Sequence, residues 1–148
     1  MAIMRNTIIK DISKLTTPCK DVETLEQGEI IAKQLFEILS KNRGGIGLAA
    51  NQVGIDRKVC VVNVERPLYF INPKIVSSYG IVEFVNEGCL SFPKDLLITE
   101  RKRIIGVTAD NFKGIQFFSC ENNLLECICV QHEIDHLYGI TMYERERK

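Results

Sequence analysis

The chain has 148 residues, enough for one sizeable core. Its 45% apolar and 26% charged residues are the balance of a folded globular protein, not of a disordered or fibrous one. Lys plus Arg and Asp plus Glu number 19 each, so no overall basic field exists to hold nucleic acid or an anionic membrane.

Met1–Lys10 has neither the apolar core nor the cleavage site of a leader peptide. No stretch approaches the roughly 20 apolar residues of a membrane span. The expectation is a cytoplasmic protein with a single catalytic domain over 1–148. In that reducing compartment the six cysteines, at 19, 60, 89, 120, 127 and 129, read as free thiols, core residues or metal ligands. Cys60 lies in an apolar run and Cys129 on an apolar helix face, where a cysteine is a small hydrophobe by default.

The first element in chain order is a helix from about Thr24 to Asn42. Thr24 and Gln27 have the spacing of a capping box. Ile31, Leu35, Ile38 and Leu39 share one face, and Gly44 and Gly45 end the element. The middle of the chain is β-like, with candidate strands at Val59–Val64, Leu68–Ile71, Ile75–Tyr79, Ile81–Val85, Ile104–Ala109 and Ile115–Ser119. Gly80 and Asp110–Gly114 read as turns, and the short connections predict antiparallel pairing. A second helix spans about Asn123 to Leu137, with Leu125, Ile128, Cys129, His132 and His136 on one face and Gly139 as its stop. The predicted class is α+β, with antiparallel sheets packed around this helix and the other helix N-terminal to them.

The chemistry concentrates on His132-Glu133-Ile134-Asp135-His136, an H-E-x-x-H pattern. Residues four apart on a helix stack one above the other, so two imidazoles can grip one divalent metal, and Glu133 borders the same face as a proton acceptor. They are the only two histidines in the chain, and an unpaired imidazole on an apolar face is costly to bury. The bland alternative is a helix with two incidental histidines. A catalytic metal generally takes three protein ligands and keeps an open position. Gly139 fits H-E-x-x-H-x-x-G-x-x-H, but the final position is Met142, and only Glu144 and Glu146 follow as downstream acids. The third ligand is therefore expected upstream, at Cys89 in Glu87-Gly88-Cys89-Leu90-Ser91, on a turn or bulge after a strand.

With Gly45-Ile46-Gly47-Leu48-Ala49-Ala50-Asn51-Gln52, and with Gln131 preceding His132, these segments resemble the three signatures of peptide deformylases. Those are G-x-G-L-A-A-x-Q, E-G-C-L-S and Q-H-E-x-D-H, intact here and in the family's order. The resemblance runs from the first helix to about Met142. It implies hydrolysis of the N-formyl group from the formyl-methionine of new proteins, releasing formate. Cys89, His132 and His136 would hold Fe²⁺ in the native enzyme, with Zn²⁺, Ni²⁺ or Co²⁺ able to take the same place. A thiolate with two imidazoles suits late first-row metals, not Mg²⁺ or Ca²⁺.

By the same resemblance Glu133 would carry the proton, while the Gln52 amide and the Leu90 backbone N–H would receive the growing negative charge. Gly45, Ile46 and Gly47 would pair with the extended peptide, as would the Glu87-Gly88 side of the cleft. Gly45 and Gly47 also read simply as loop glycines. Ile46, Leu125, Ile128 and Cys129 would line a methionine pocket; on pattern alone they are ordinary core. Arg101 falls where the family has an Arg near the substrate backbone, and it reads equally as a solvated surface Arg. Many bacterial members continue into a C-terminal helix that docks on the ribosome. This chain stops at Lys148, similar in its compactness to bacteriophage-borne versions, so docking by that route is not expected. Residues 94–103 carry no strong family pattern. A metallopeptidase and a non-catalytic module with a structural metal remain as competing readings.

Overall fold

The computed structural model describes residues 8–148, so the first seven residues of the Met1–Lys10 stretch lie outside the description. A short helix α1 (Ile12–Leu15), which the sequence pattern did not announce, is capped by the Asp11 side chain. Helix α2 spans Leu25–Ser40, and Thr24 Oγ1 accepts the Gln27 N–H at 3.2 Å, one half of the expected capping box. Asn42 closes its other end by donating to the Ile38 carbonyl at 2.8 Å.

Strands β1 (Gly47–Ala49), β2 (Val59–Asn63) and β3 (Pro67–Ile71) form an antiparallel sheet in that order. The continuous apolar run of β2 has a direct cause: both its faces are covered. Val59 and Val61 pack on Leu35, Ile38 and Leu39 of α2, while Cys60 and Val62 pack on the other side with Val130 and Ile134. Gly28 in α2 sits so close to β3 that a Cβ there would lie 2.7 Å from Ile71.

The second sheet is β4 (Lys74–Cys89), β5 (Phe92–Thr108) and β6 (Gln116–Ser119), also antiparallel. Here the expected turn at Gly80 is corrected. Pairing continues through it, from Tyr79 with Ile104 to Ile81 with Lys102, and Gly80 adopts a φ of +72° that a side chain would resist. Two predicted short strands are one long strand. Residues 94–103, read without an element, belong to β5.

Helix α3 (Leu124–Leu137) lies between the two sheets. Its residues from Glu126 to Leu137 are all buried, so it has no polar face and no simple apolar stripe. Cys127, Cys129, Val130, Ile134 and Leu137 share a core with Phe70 of the first sheet and with Ile105, Val107 and Phe118 of the second. Gln131 fastens the helix to β5: it accepts the Lys102 N–H at 2.8 Å and donates to the Lys102 carbonyl at 2.9 Å. The helix stops at Gly139 (φ +75°), where a Cβ would strike the Thr16 carbonyl. The α+β class, with antiparallel sheets about a central helix, is as expected. Among the described residues no helix is long and apolar enough to cross a membrane.

Candidate metal centre and its cleft

Helical spacing stacks His132 on His136, and their Nε2 atoms lie 3.2 Å apart. Cys89 is the last residue of β4, paired with Phe92 across the two-residue turn Leu90-Ser91. Two register shifts and a φ of +67° at Asn86 swing this strand end toward the helix. Its Sγ comes to 3.4 Å from His136 Nε2, and all three ligand atoms lie within 4.8 Å of one another. Metal bonds of about 2.3 Å to sulfur and about 2.05 Å to nitrogen, at tetrahedral angles, require S–N and N–N separations of about 3.6 and about 3.3 Å. The side chains therefore stand at separations at which they could hold one metal ion.

The ligands are held from behind. Glu87, on β4, accepts from His132 Nδ1 at 2.7 Å, which leaves the His132 Nε2 lone pair for a metal. Glu87 also accepts from Thr99 Oγ1 at 2.7 Å, from Arg101 Nε at 2.9 Å and from Arg101 Nη2. Burial works against the charge on Glu87, but bonds from His132 and Arg101 overcome it and hold the carboxyl well below its usual range. Arg101 Nη1 continues to Asp135 at 2.6 Å, and Asp135 takes two bonds of 3.0 Å from Arg145. Burial opposes positive charge on His132 as well, while Glu133, Cys89 and Glu87 favour it. A site that favours a proton there also favours a divalent cation. Burial, aided by His132, keeps His136 neutral.

Glu133 is buried, and its Oε1 has no partner. Burial pushes its carboxyl up to about 7, near the value wanted of a group that must take and return a proton at neutral pH. Gly47 is the reason it fits: a Cβ there would lie 2.6 Å from Glu133 Oε2 and from Cys129 Sγ. Gln52 is fixed by the Ala49 N–H, which donates to its Oε1 at 2.9 Å. Its Nε2 donates to Ser91 Oγ at 3.0 Å and approaches Cys89 Sγ at 3.6 Å.

A cleft of about 380 Å³ opens in front of these groups. Gly45, Ile46, Gly47, Glu87, Gly88, Leu90, Leu125, Ile128 and Cys129 line it, together with Cys89, His132 and Glu133. Ile128 and Cys129 are buried at its base, whereas Leu125 is 40% exposed and presents its side chain to the opening. Strand β1 is the edge of its sheet: Gly47 pairs with Val62 on one side only, and the Ile46 carbonyl before it accepts the Asn63 N–H at 2.7 Å.

One expectation changes in detail. Arg101 does not line the cleft, nor is it a solvated surface residue: it is 4% exposed behind His132, with its guanidinium committed to Glu87 and Asp135. Gln52 is buried, with its Nε2 turned toward Ser91 Oγ and Cys89 Sγ at the edge of the metal centre. Sequence reasoning missed Arg43, Phe84, Asn86, Pro93 and Leu96 on the walls. It also missed the buried Asp135, the partly exposed Arg145 that pairs with it, and Asn51, whose amide donates to the His136 carbonyl at 2.7 Å. The D of the Q-H-E-x-D-H pattern was the one available signal for Asp135.

A family model described as Polypeptide deformylase matches residues 6–148. The peptide deformylase of Neisseria meningitidis serogroup C is 41% identical over 138 residues, 89% of this chain and 80% of its own length. Among solved structures, a peptide deformylase from Synechococcus elongatus in complex with actinonin superposes with a TM-score of 0.82 at 32% identity. That match covers 96% of this chain and 78% of the other. The peptide deformylase of Thermotoga maritima gives 0.82 at 28% identity, over the whole of both chains.

Proposed function

The chain belongs to the peptide deformylase family, and from that premise we propose how its residues divide the work of a metal-dependent deformylase acting on formylated peptides. Cys89, His132 and His136 would hold the ion, Fe²⁺ natively, with Zn²⁺, Ni²⁺ or Co²⁺ as substitutes; the soft sulfur beside two imidazoles favours these over harder ions. When bound, the ion supplies a Lewis acid that brings the pKa of water toward neutrality.

Glu133, through its unpartnered Oε1, takes the proton of the attacking water and passes it to the departing amine. As the formyl carbon becomes tetrahedral its oxygen gains negative charge. Gln52 Nε2 and the Leu90 N–H are the donors assigned to it, with Gln52 giving up its bond to Ser91 as the substrate arrives. The peptide adds as a strand along Gly45–Gly47, opposite Gly88, and its first side chain, methionine, enters the apolar pocket lined by Ile46, Leu125, Ile128 and Cys129. Arg101 works from behind, keeping Glu87 ionised and so keeping His132 oriented. Formate and a free N-terminal methionine leave. New chains leaving the ribosome in the cytoplasm are the substrate source that fits this chemistry. Actinonin, the ligand in the Synechococcus elongatus structure, is expected to occupy the same cleft.

The observation that carries this reading is the meeting of one sulfur and two Nε2 atoms beside a buried carboxylate with one oxygen unpaired. The test is substrate. Anaerobically purified protein loaded with Fe²⁺ should release formate from formyl-Met-Ala-Ser and leave unformylated Met-Ala-Ser and longer peptides whole. Internal cleavage without formate release would favour a peptidase instead.

A further inference from the structure

The charges along the cleft do not balance. Of its two acids, Glu87 is neutralised by Arg101 and His132, and Glu133 is buried at the floor. The single Arg or Lys on its walls is Arg43, exposed and in none of the ion pairs among the described residues. Lys94 and Asp95 follow the wall residue Pro93 but do not line the cleft, and Asp95 accepts a hydrogen bond from Tyr143.

Position along the peptide follows from Gly47, whose backbone abuts Glu133 and so marks the reacting end. Arg43 lies four residues before it. The chain turns between them, the Gly45 N–H donating to the Asn42 carbonyl at 3.1 Å and Gly44 taking a φ of +81°, so Arg43 stands less than about 13 Å from Gly47 on the same cleft, beside a substrate that advances about 3.4 Å per residue from the reacting carbon. That is the span to its third and fourth residues, within reach of a long flexible side chain. We propose, resting on the deformylase reading above, that Arg43 is a specificity-determining residue that selects formylated peptides with an acidic side chain at the third or fourth position.

Exposed ion pairs are weak, so the expected discrimination is modest. At about 10 mM ionic strength, kcat/KM for formyl-Met-Ala-Glu-Glu should exceed that for formyl-Met-Ala-Lys-Lys by about five-fold. In about 1 M salt, where screening acts over about 3 Å, the ratio should fall toward one. Arg43→Glu should invert the low-salt ratio and Arg43→Gln should bring it close to one. Each protein is its own reference, because only the ratio between two peptides is read. A wild-type ratio at or below one, or a ratio that persists in Arg43→Glu, overturns the inference. The parent reading is judged separately, by wild-type formate release from formyl-Met-Ala-Ser, and fails only if that is absent.

Discussion

Replacing Gly47 by Ala adds one methyl group at the tightest point of the site. That carbon would stand 2.6 Å from Glu133 Oε2, 2.8 Å from Glu133 Cγ and 2.6 Å from Cys129 Sγ. Ordinary contacts between such atoms are about 3.5–4.0 Å, so the neighbours must retreat by about 1 Å. Cys129 is packed into the core and Glu133 is anchored on a helix buried on all sides, so the slack has to come from the carboxylate itself. A misplacement of about 1 Å in a catalytic group costs about 10²-fold in rate, equivalent to about 2.7 kcal/mol on the barrier. Overpacking should also cost about 1–3 kcal/mol of stability, a fall of a few degrees in Tm. The three atoms nearest the added carbon belong to Cys129 and Glu133 and not to Cys89, His132 or His136, so metal content should stay at one ion per chain. The assay is kcat for formate release from formyl-Met-Ala-Ser, beside metal analysis of the same sample. A Gly47→Ala protein with kcat within two-fold of wild type would refute the claim that this glycine keeps Glu133 in register.

Glu87→Gln leaves the Arg101 charge buried with one carboxylate instead of two, and takes the acceptor of the His132 Nδ1–H out of its ionised form. Breaking a buried pair in this way costs about 3–5 kcal/mol, measurable by denaturant unfolding. Metal affinity should fall by about 10–100-fold in chelator competition, and unchanged affinity would count against the supporting role assigned to Glu87. Alkaline pH should also weaken the fold. Burial pushes the Cys19 and Cys127 thiols up to about 12, while unfolded thiols ionise near about 8.5. The unfolded chain therefore loses protons first, and the stability present below about pH 8.5 is lost as pH rises toward 12. Thermal melts that stay level from pH 8 to 10 would contradict this.

Much of the site is legible in the sequence because it is local. Four-residue spacing on a helix places His132 and His136 together without help from the rest of the chain, and Glu133 follows from the same geometry. Cys89 is legible for a different reason: a Gly-Cys pair at a strand end is a place where backbone can bulge, and it does. What stays hidden depends on partners far apart along the chain. Arg101 looks like a surface residue among Lys and Glu neighbours. Only its pairing with Glu87, 14 residues earlier, and Asp135, 34 later, makes burial possible. Arg145, 10 residues beyond Asp135, joins the same network from the chain's last helical turn. The long hairpin escaped notice because Gly80 normally signals a turn, and because the charges of 94–103 mask a strand whose inward members are Thr99 and Arg101. The walls contributed by Phe84, Asn86 and Leu96 depend on that hairpin, so they were missed with it.

The central claim is that the ion is held by three side chains while the proton is moved by a fourth. Glu133→Gln separates the two. Wild type and variant, purified anaerobically with Fe²⁺, should each carry one ion per chain, while formate release from formyl-Met-Ala-Ser should be present in the wild type and lost in the variant. Turnover that survives in Glu133→Gln, or an ion that departs with the carboxylate, would contradict the account.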